Sequence, residues 1–308
     1  MIEIRGLTKR FGKTTAVSGL SFTVDQGDAF GFVGPNGAGK TTTIRMLSTL
    51  LDPDEGTATV NGYDVTKEPE AVRACIGYMP DFFGVYDDMK VWEYLDFFAA
   101  AYRVARAKRP GLISDVLELT DLTDKRDEYV DSLSRGMKQR LCLAKTLVHD
   151  PDILLLDEPA SGLDPRARIE IRELLQELCR MKKTILISSH ILPELAELCN
   201  KVAIIEAGKL VMAGSVSEIS AQLEGGVRIC VRLTDRQEAC CGFLSTQPEV
   251  RSAKVVNGEV QAVYRGKPEE QHRVLAALVQ AGFQVQSFTD QEMDLETLYM
   301  RVTKGIVS

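Results

Sequence analysis

Eight consecutive residues, Gly34-Pro35-Asn36-Gly37-Ala38-Gly39-Lys40-Thr41, combine three glycines, one ammonium group and one hydroxyl in the pattern GxxxxGKT. Glycines at these positions let the backbone wind tightly, so that several N–H groups face one polyphosphate at the start of the next helix. Lys40 then reaches the β- and γ-phosphates, the Thr41 hydroxyl suits Mg²⁺, and Thr42 continues the turn. A chance match to this pattern is expected in about one chain of this length in a hundred. A second carboxylate for the metal should end a neighbouring apolar strand. Ile153-Leu154-Leu155-Leu156-Asp157-Glu158 fits, because four apolar residues bury the strand and Asp157 emerges at its carboxyl edge, where open α/β sheets bind ligands. Asp157 is placed to hold Mg²⁺, mainly through water, and Glu158 to act as general base on the attacking water.

The elements that must position these residues follow from periodicity. Ile2–Leu7, Ala16–Val24 and Ala29–Val33 read as strands, the last running into the glycine loop, and Thr41–Leu51 has helical spacing. Thr57–Asn61 and Cys75–Met79 read as strands flanking the short helix Pro69–Arg73. From about residue 82 to 135 the character changes. Helices are expected at Trp92–Tyr102 and Leu112–Leu119, with aromatics crowded from Phe82 to Phe98, as in a helical insertion. The alternation then resumes with helix Met137–Val148, strand Ile153–Leu156, helix Pro165–Met181, strand Thr184–Ser188, helix Leu192–Cys199 and strand Val202–Glu206. Such alternation predicts a mainly parallel sheet covered by helices, with an antiparallel edge.

Gly225-Gly226 is the expected boundary, giving domains 1–224 and 225–308. Beyond it a strand (Val227–Leu233), a helix (Arg236–Thr246), a hairpin turned at Asn257-Gly258, a helix (Glu269–Ala281), a strand (Val285–Phe288) and a last helix (Met293–Val302) give the order βαββαβ. That order suggests a small ferredoxin-like α+β module.

Bulk properties narrow the partners. A net charge of −7 and a pI near 5.2 disfavour a nucleic-acid binder, which needs a basic face. Seven scattered cysteines without a CxxC pair fit reduced thiols rather than a zinc site. No apolar run approaches the roughly 18 residues of a membrane span, so any membrane part is expected from another chain.

Five further segments, in fixed order, resemble the nucleotide-binding subunits of ATP-binding-cassette transporters. Leu133-Ser134-Arg135-Gly136-Met137 is similar to their signature motif and is followed by Lys138-Gln139-Arg140. Ser161-Gly162-Leu163-Asp164 resembles the loop joining the two subunits' sites, Ser188-Ser189-His190 the switch histidine, and Ile76-Gly77-Tyr78-Met79-Pro80 the approach to the glutamine loop. Phe11 stands where the family stacks an aromatic on adenine, with Val17 nearby. The resemblance covers residues 1 to about 220. It implies ATP and Mg²⁺ as cofactors and hydrolysis between two cassettes facing head to tail. Ser134, Gly136 and Asp164 would complete the partner's site, and His190 would hold the γ-phosphate and orient Glu158. It implies a separately encoded permease and a place on the cytoplasmic face of the membrane. Two departures stand out: Asp81 replaces the usual Gln, where it would still sense the metal, and Arg135 and Met137 replace the usual Gly and Gln. Arg135 is expected to contact solvent or a partner.

Among the aromatics, Trp92, Phe97 and Phe98 are expected in the core of the insertion, and Phe82, Phe83 and Tyr86 on a surface that receives the permease. The C-terminal module, closing on Asp294-Leu295-Glu296-Thr297-Leu298-Tyr299, resembles the accessory domain of ABC-2-type exporters and is expected to support the dimer. A soluble cassette ATPase acting on ribosomes or DNA would carry two cassettes, a coiled-coil insertion or basic extensions. A nucleotide-gated module without turnover would not need Glu158.

Overall fold

A computed structural model describes residues 1–82, 84, 88–224, 227–291 and 295–303. The chain divides into two compact units, one built on Met1–Ala213 and the other on Gly214–Val302.

The first unit runs β1 (Ile2–Phe11), β2 (Thr14–Val24), β3 (Ala29–Val33), α1 (Lys40–Leu47), β4 (Glu55–Val60), β5 (Tyr63–Asp64), α2 (Pro69–Cys75) and β6 (Ile76–Met79). It continues with α3 (Val91–Ala101), α4 (Arg109–Leu119), α5 (Arg135–Leu147), β7 (Ile153–Asp157), α6 (Pro165–Arg180), β8 (Thr184–Ser189), α7 (Leu192–Leu198), β9 (Lys201–Glu206) and β10 (Lys209–Gly214). The core sheet has the order β10-β9-β3-β8-β7-β6, and the pairs from β6 to β9 are parallel. Every residue of β3, β7 and β8 is buried, as befits central strands covered on both faces. The site residues therefore sit at the ends of rigid elements. A second, antiparallel sheet has the order β2-β1-β4-β5. Its Phe22 ring stacks on Phe30 of β3 at 5.4 Å, so both sheets share one apolar core.

Several boundaries differ from the sequence reading for identifiable reasons. Helix α1 stops at Leu47 because Thr49 adopts φ 62, and the Leu50 N–H turns back to Arg45 O. Strand β1 continues past Leu7 through register shifts, the first beside Gly6 at φ 63. Strand β10 adds to the expected elements; it returns from β9 across Ala207-Gly208, both at positive φ as a two-residue hairpin turn requires. Phe97 is corrected outright: its ring is 47% exposed, while Val91, Tyr94, Leu95 and Ala99 form the inward face of α3. At 3.6 residues per turn Val91, Tyr94, Leu95 and Ala99 centre on one face of the helix, and Phe97 falls well round its far flank. Phe82 is 88% exposed, and Phe83 and Tyr86 lie outside the described residues.

At the base of β3 the Asp28 carboxylate, 7% exposed, accepts from Asn200 Nδ2 at 2.8 Å, Lys201 Nζ at 3.0 Å and the Asp25 N–H at 3.0 Å. Burial alone would raise its pKa, but these donors outweigh it and hold the group below the usual Asp value. A lowered folded pKa means stability that is present above the unfolded value of about 3.9 and lost as pH falls through the folded one. Asp28→Ala should therefore cost about 1–3 kcal/mol at pH 7. In urea titrations its gap to the parent should shrink at pH 3.

The second unit comprises α8 (Val216–Glu224), β11 (Val227–Leu233), α9 (Gln237–Ser245), β12 (Val250–Val256), β13 (Glu259–Tyr264), α10 (Gln271–Gln280), β14 (Val285–Gln291) and α11 (Leu295–Val302). Its sheet has the order β12-β13-β11-β14 with antiparallel pairs throughout. Alternate residues Ile229, Val231 and Leu233 of β11 join Val260, Ala262 and Tyr264 of β13 in a core of its own. Gly225, Gly226 and Asp294 lie outside the described residues.

Candidate nucleotide site

The glycine loop joins the buried strand β3 to α1, and two of its glycines are required by space. A Cβ on Gly39, at φ 100, would lie 2.5 Å from Ala16 O, and one on Gly34 would lie 2.5 Å from Ile205 O. Gly37 also takes positive φ, at 81. Pro35 is half-buried, Asn36 exposed and Ala38 buried. The loop thus delivers Lys40, Thr41 and Thr42 as the opening turn of α1, whose free N–H groups carry a positive dipole end. Thr43 Oγ1 closes that turn on Gly39 O at 2.9 Å.

Lys40 is only 6% exposed. Its ammonium donates to Gly34 O at 2.7 Å and lies 3.4 Å from Glu158 Oε1. From the other side His190 Nδ1–H donates to Glu158 Oε2 at 2.7 Å. One carboxylate therefore stands between a buried cation and a half-exposed imidazole. Asp157, one residue earlier, is fully buried, and its Oδ1 accepts from Ser188 Oγ at 2.5 Å. The same hydroxyl faces the Glu158 N–H at 3.0 Å, and Ser188 O accepts that N–H at 3.2 Å. Strand register explains this double use, because Asp157 on β7 is the direct partner of Ser188 on β8.

Asp157 Oδ2 is buried without a hydrogen-bond partner among the described residues. A buried orphan carboxylate oxygen costs several kcal/mol unless something positive meets it. With the Thr41 hydroxyl on the adjoining helix, this all-oxygen donor set fits a hard divalent cation such as Mg²⁺. Asp81, just beyond β6, is exposed, yet its carboxyl is raised by partial burial and by the negative Asp157 and Glu158, against the pull of His190 and Lys40. Its field thus overlaps that of the buried carboxylates.

Ser134, Gly136 and Asp164 form a second group, at helix N-termini. Ser134 caps α5 by accepting the Met137 N–H at 3.3 Å. Asp164 caps α6 by accepting the Arg166 and Ala167 N–H groups, each at 3.0 Å. Gly136 faces the start of α6, where a Cβ would come within 3.0 Å of Ala167 Cβ. Phe11 ends β1 with its ring 51% exposed and the Lys9 ammonium 5.8 Å from its centroid. Val17 is buried against the loop glycine Gly39.

Three contacts escaped the sequence reading. In the sequence Ser188 is only a neighbour of His190, and it is the parallel pairing of β7 with β8 that brings its hydroxyl to Asp157. Gln139 Nε2 donates to Pro159 O at 2.6 Å, and the Arg135 guanidinium covers Gly162 so closely that a Cβ there would overlap it. Nothing in linear spacing signals either contact.

Residues 17–161 match the family model described as ABC transporter. Among curated relatives, the Nod factor export ATP-binding protein I of Burkholderia lata is 42% identical over 214 residues, covering 70% of each chain. The daunorubicin/doxorubicin resistance ATP-binding protein DrrA of Streptomyces peucetius is 34% identical, covering 98% of this chain and 92% of its own. The linearmycin resistance ATP-binding protein LnrL of Bacillus subtilis is 30% identical and covers 98% of both. A solved ATP-binding subunit of an ABC transporter aligns with TM-score 0.66 and 28% identity over 72% of this chain and 93% of its own. A bacterial cassette solved as a dimer shares the fold, with TM-score 0.63 and 22% identity over 70% of this chain and 98% of its own. The glycine loop after β3, the carboxylates at the end of β7 and the relatives matched along nearly the whole chain agree: this chain belongs to the ATP-binding, ATP-hydrolysing subunits of ABC transporters.

Proposed function

We propose that this chain is the energising subunit of an exporter, acting as a pair of cassettes on a separately encoded permease at the cytoplasmic face of the membrane. The observation that carries the chemistry is the Glu158 carboxylate held between Lys40 and His190. Export rests on relatives that match along nearly the whole chain, two of them named for resistance to linearmycin or daunorubicin/doxorubicin and one for Nod factor export. Among the described residues no helix is long and apolar enough to cross a membrane, which is consistent with a partner supplying the path.

In this reading the loop N–H groups and Lys40 bind the β- and γ-phosphates, and Phe11 stacks on the adenine beside Val17. Thr41, Asp157 and Asp81 would hold Mg²⁺, which neutralises charge on the β- and γ-phosphate oxygens. Glu158 accepts a proton from water as the new oxygen–phosphorus bond forms and the bond to the bridging oxygen breaks, giving ADP and phosphate. His190 keeps that carboxylate oriented. Ser134 and Gly136 present a hydroxyl and the N-terminus of α5 to the γ-phosphate bound by the other cassette. Asp164 belongs to the loop between the two sites. ATP thereby joins the pair and hydrolysis releases it.

The second unit is read as a ferredoxin-like accessory domain that supports the pair; its antiparallel order β12-β13-β11-β14 with two intervening helices supports that reading. The domains are taken as 1–224 and 225–308, although α8 (Val216–Glu224) clusters with the second compact unit. The test is purification of the chain from membranes. Co-purification of a polytopic membrane protein that stimulates its phosphate release is expected; co-sedimentation with ribosomes instead would refute the reading.

A further inference from the structure

The first turns of α5 rest on the segment after β7 at three points. Gln139 Nε2 donates to Pro159 O at 2.6 Å, with Gln139 only 5% exposed. Gly136 lies against Ala167 at the start of α6, and the Arg135 guanidinium covers Gly162, whose φ is 67. Positions 135, 136 and 139 stand on one side of a helix, so a single face grips both ends of the turn between Glu158 and Gly162. That turn closes on itself through the Ser161 N–H to Glu158 O, at 3.0 Å.

Glu158 needs such a grip. Its φ of 52 is a left-handed conformation that strains a non-glycine residue and persists only where surroundings over-determine it. Ser188 fixes its backbone N–H from the β8 side. On the other side, the first backbone group after it is the Pro159 carbonyl, since proline has no N–H to offer. The donor that reaches this carbonyl is Gln139.

We propose that Gln139 is a positioning residue for hydrolysis: through Pro159 O it holds the turn that aims Glu158, and Arg135 anchors the far end of that turn on Gly162. This rests on Glu158 being the general base. Neither residue touches nucleotide in this role. Arg135, which stands where related signatures carry glycine, thus acts within its own chain. Ser134 and Gly136 begin the same helix, so the grip would also tie the surface offered to the second cassette to the base of the chain's own site.

The test uses the full chain and measures phosphate release against ATP concentration. Gln139→Met keeps the volume but removes the donor. Its kcat should fall about tenfold, within the range that slight misplacement of a reacting group produces, while KM stays within about twofold. Gln139→Glu, which sets a carboxylate against the carbonyl, should fall further. In a Glu158→Gln background, Gln139→Met should lower the residual rate no more, because both act through one group. If Gln139→Met does not fold, the exposed Arg135→Gly decides, with an expected threefold loss of kcat at unchanged KM. An unchanged kcat, or equal losses in kcat and ATP affinity, overturns the proposal. If the parent chain turns over and Glu158→Gln abolishes it while Gln139→Met matches the parent, this inference alone fails. If the parent releases no phosphate, the reading of Glu158 fails with it.

Discussion

Glu158→Gln should lower phosphate release by at least about a hundredfold while leaving ATP bound, since a positioned general base contributes about 10²–10⁴-fold. The amide keeps the shape and still accepts from His190 Nδ1–H through its oxygen. It cannot take a proton from water, and it loses the countercharge to Lys40, 3.4 Å away. Removing a negative group beside the γ-phosphate should if anything tighten ATP. With bond cleavage blocked, the pair of cassettes that ATP joins should persist. Size-exclusion chromatography with light scattering should show a stable dimer with ATP and a monomer with ADP. A variant that stays monomeric at saturating ATP would count heavily against a composite site.

Lys40→Met is expected to act one step earlier, on binding. The parent ammonium is almost fully buried and is held by Gly34 O at 2.7 Å, aimed from the first residue of α1. A charge-assisted hydrogen bond to a phosphate is worth about 1.5–3 kcal/mol, so ATP affinity should fall by about 10–100-fold. The substitution also strips Glu158 Oε1 of its nearby cation. The Lys40→Met and Glu158→Gln effects on ATP affinity should therefore not add, because one partner's loss relieves the other's. Titration with a fluorescent ATP analogue checks both numbers. Parent-like affinity in Lys40→Met would remove the lysine from the phosphate site.

The parts legible in the sequence are those where local chemistry leaves few choices. Gly34 and Gly39 have no room for a Cβ, so the loop must be written in glycine. Strand β7 is buried along its whole length, so it must be apolar until its final carboxylate. Helix α8 carries a local signal too: Ser215 and Glu218 form a reciprocal cap, at 3.1 and 2.8 Å, from the S-x-x-E pattern that marks a helix start. Strand β10 is harder, because its residues are mostly half-buried and show no strict alternation. Phe97 was misplaced because composition reveals how many aromatics a helix carries, not which of them face inward. Gln139 on Pro159 and Arg135 on Gly162 bring together residues some 20 or more positions apart. Only tertiary packing sets such pairs, and no periodicity encodes them.

The left-handed backbone at Glu158 has an evolutionary consequence. Glycine or asparagine would occupy that conformation more comfortably than glutamate, by about 1 kcal/mol. Folding stability alone would thus reward losing the carboxylate. With Glu158 as the proposed general base, only selection on turnover retains it, so a copy freed from that selection would drift toward a cassette that binds nucleotide but no longer fires. Such copies would lose Glu158 sooner than their glycine loop, where Gly34 and Gly39 have no room for a Cβ.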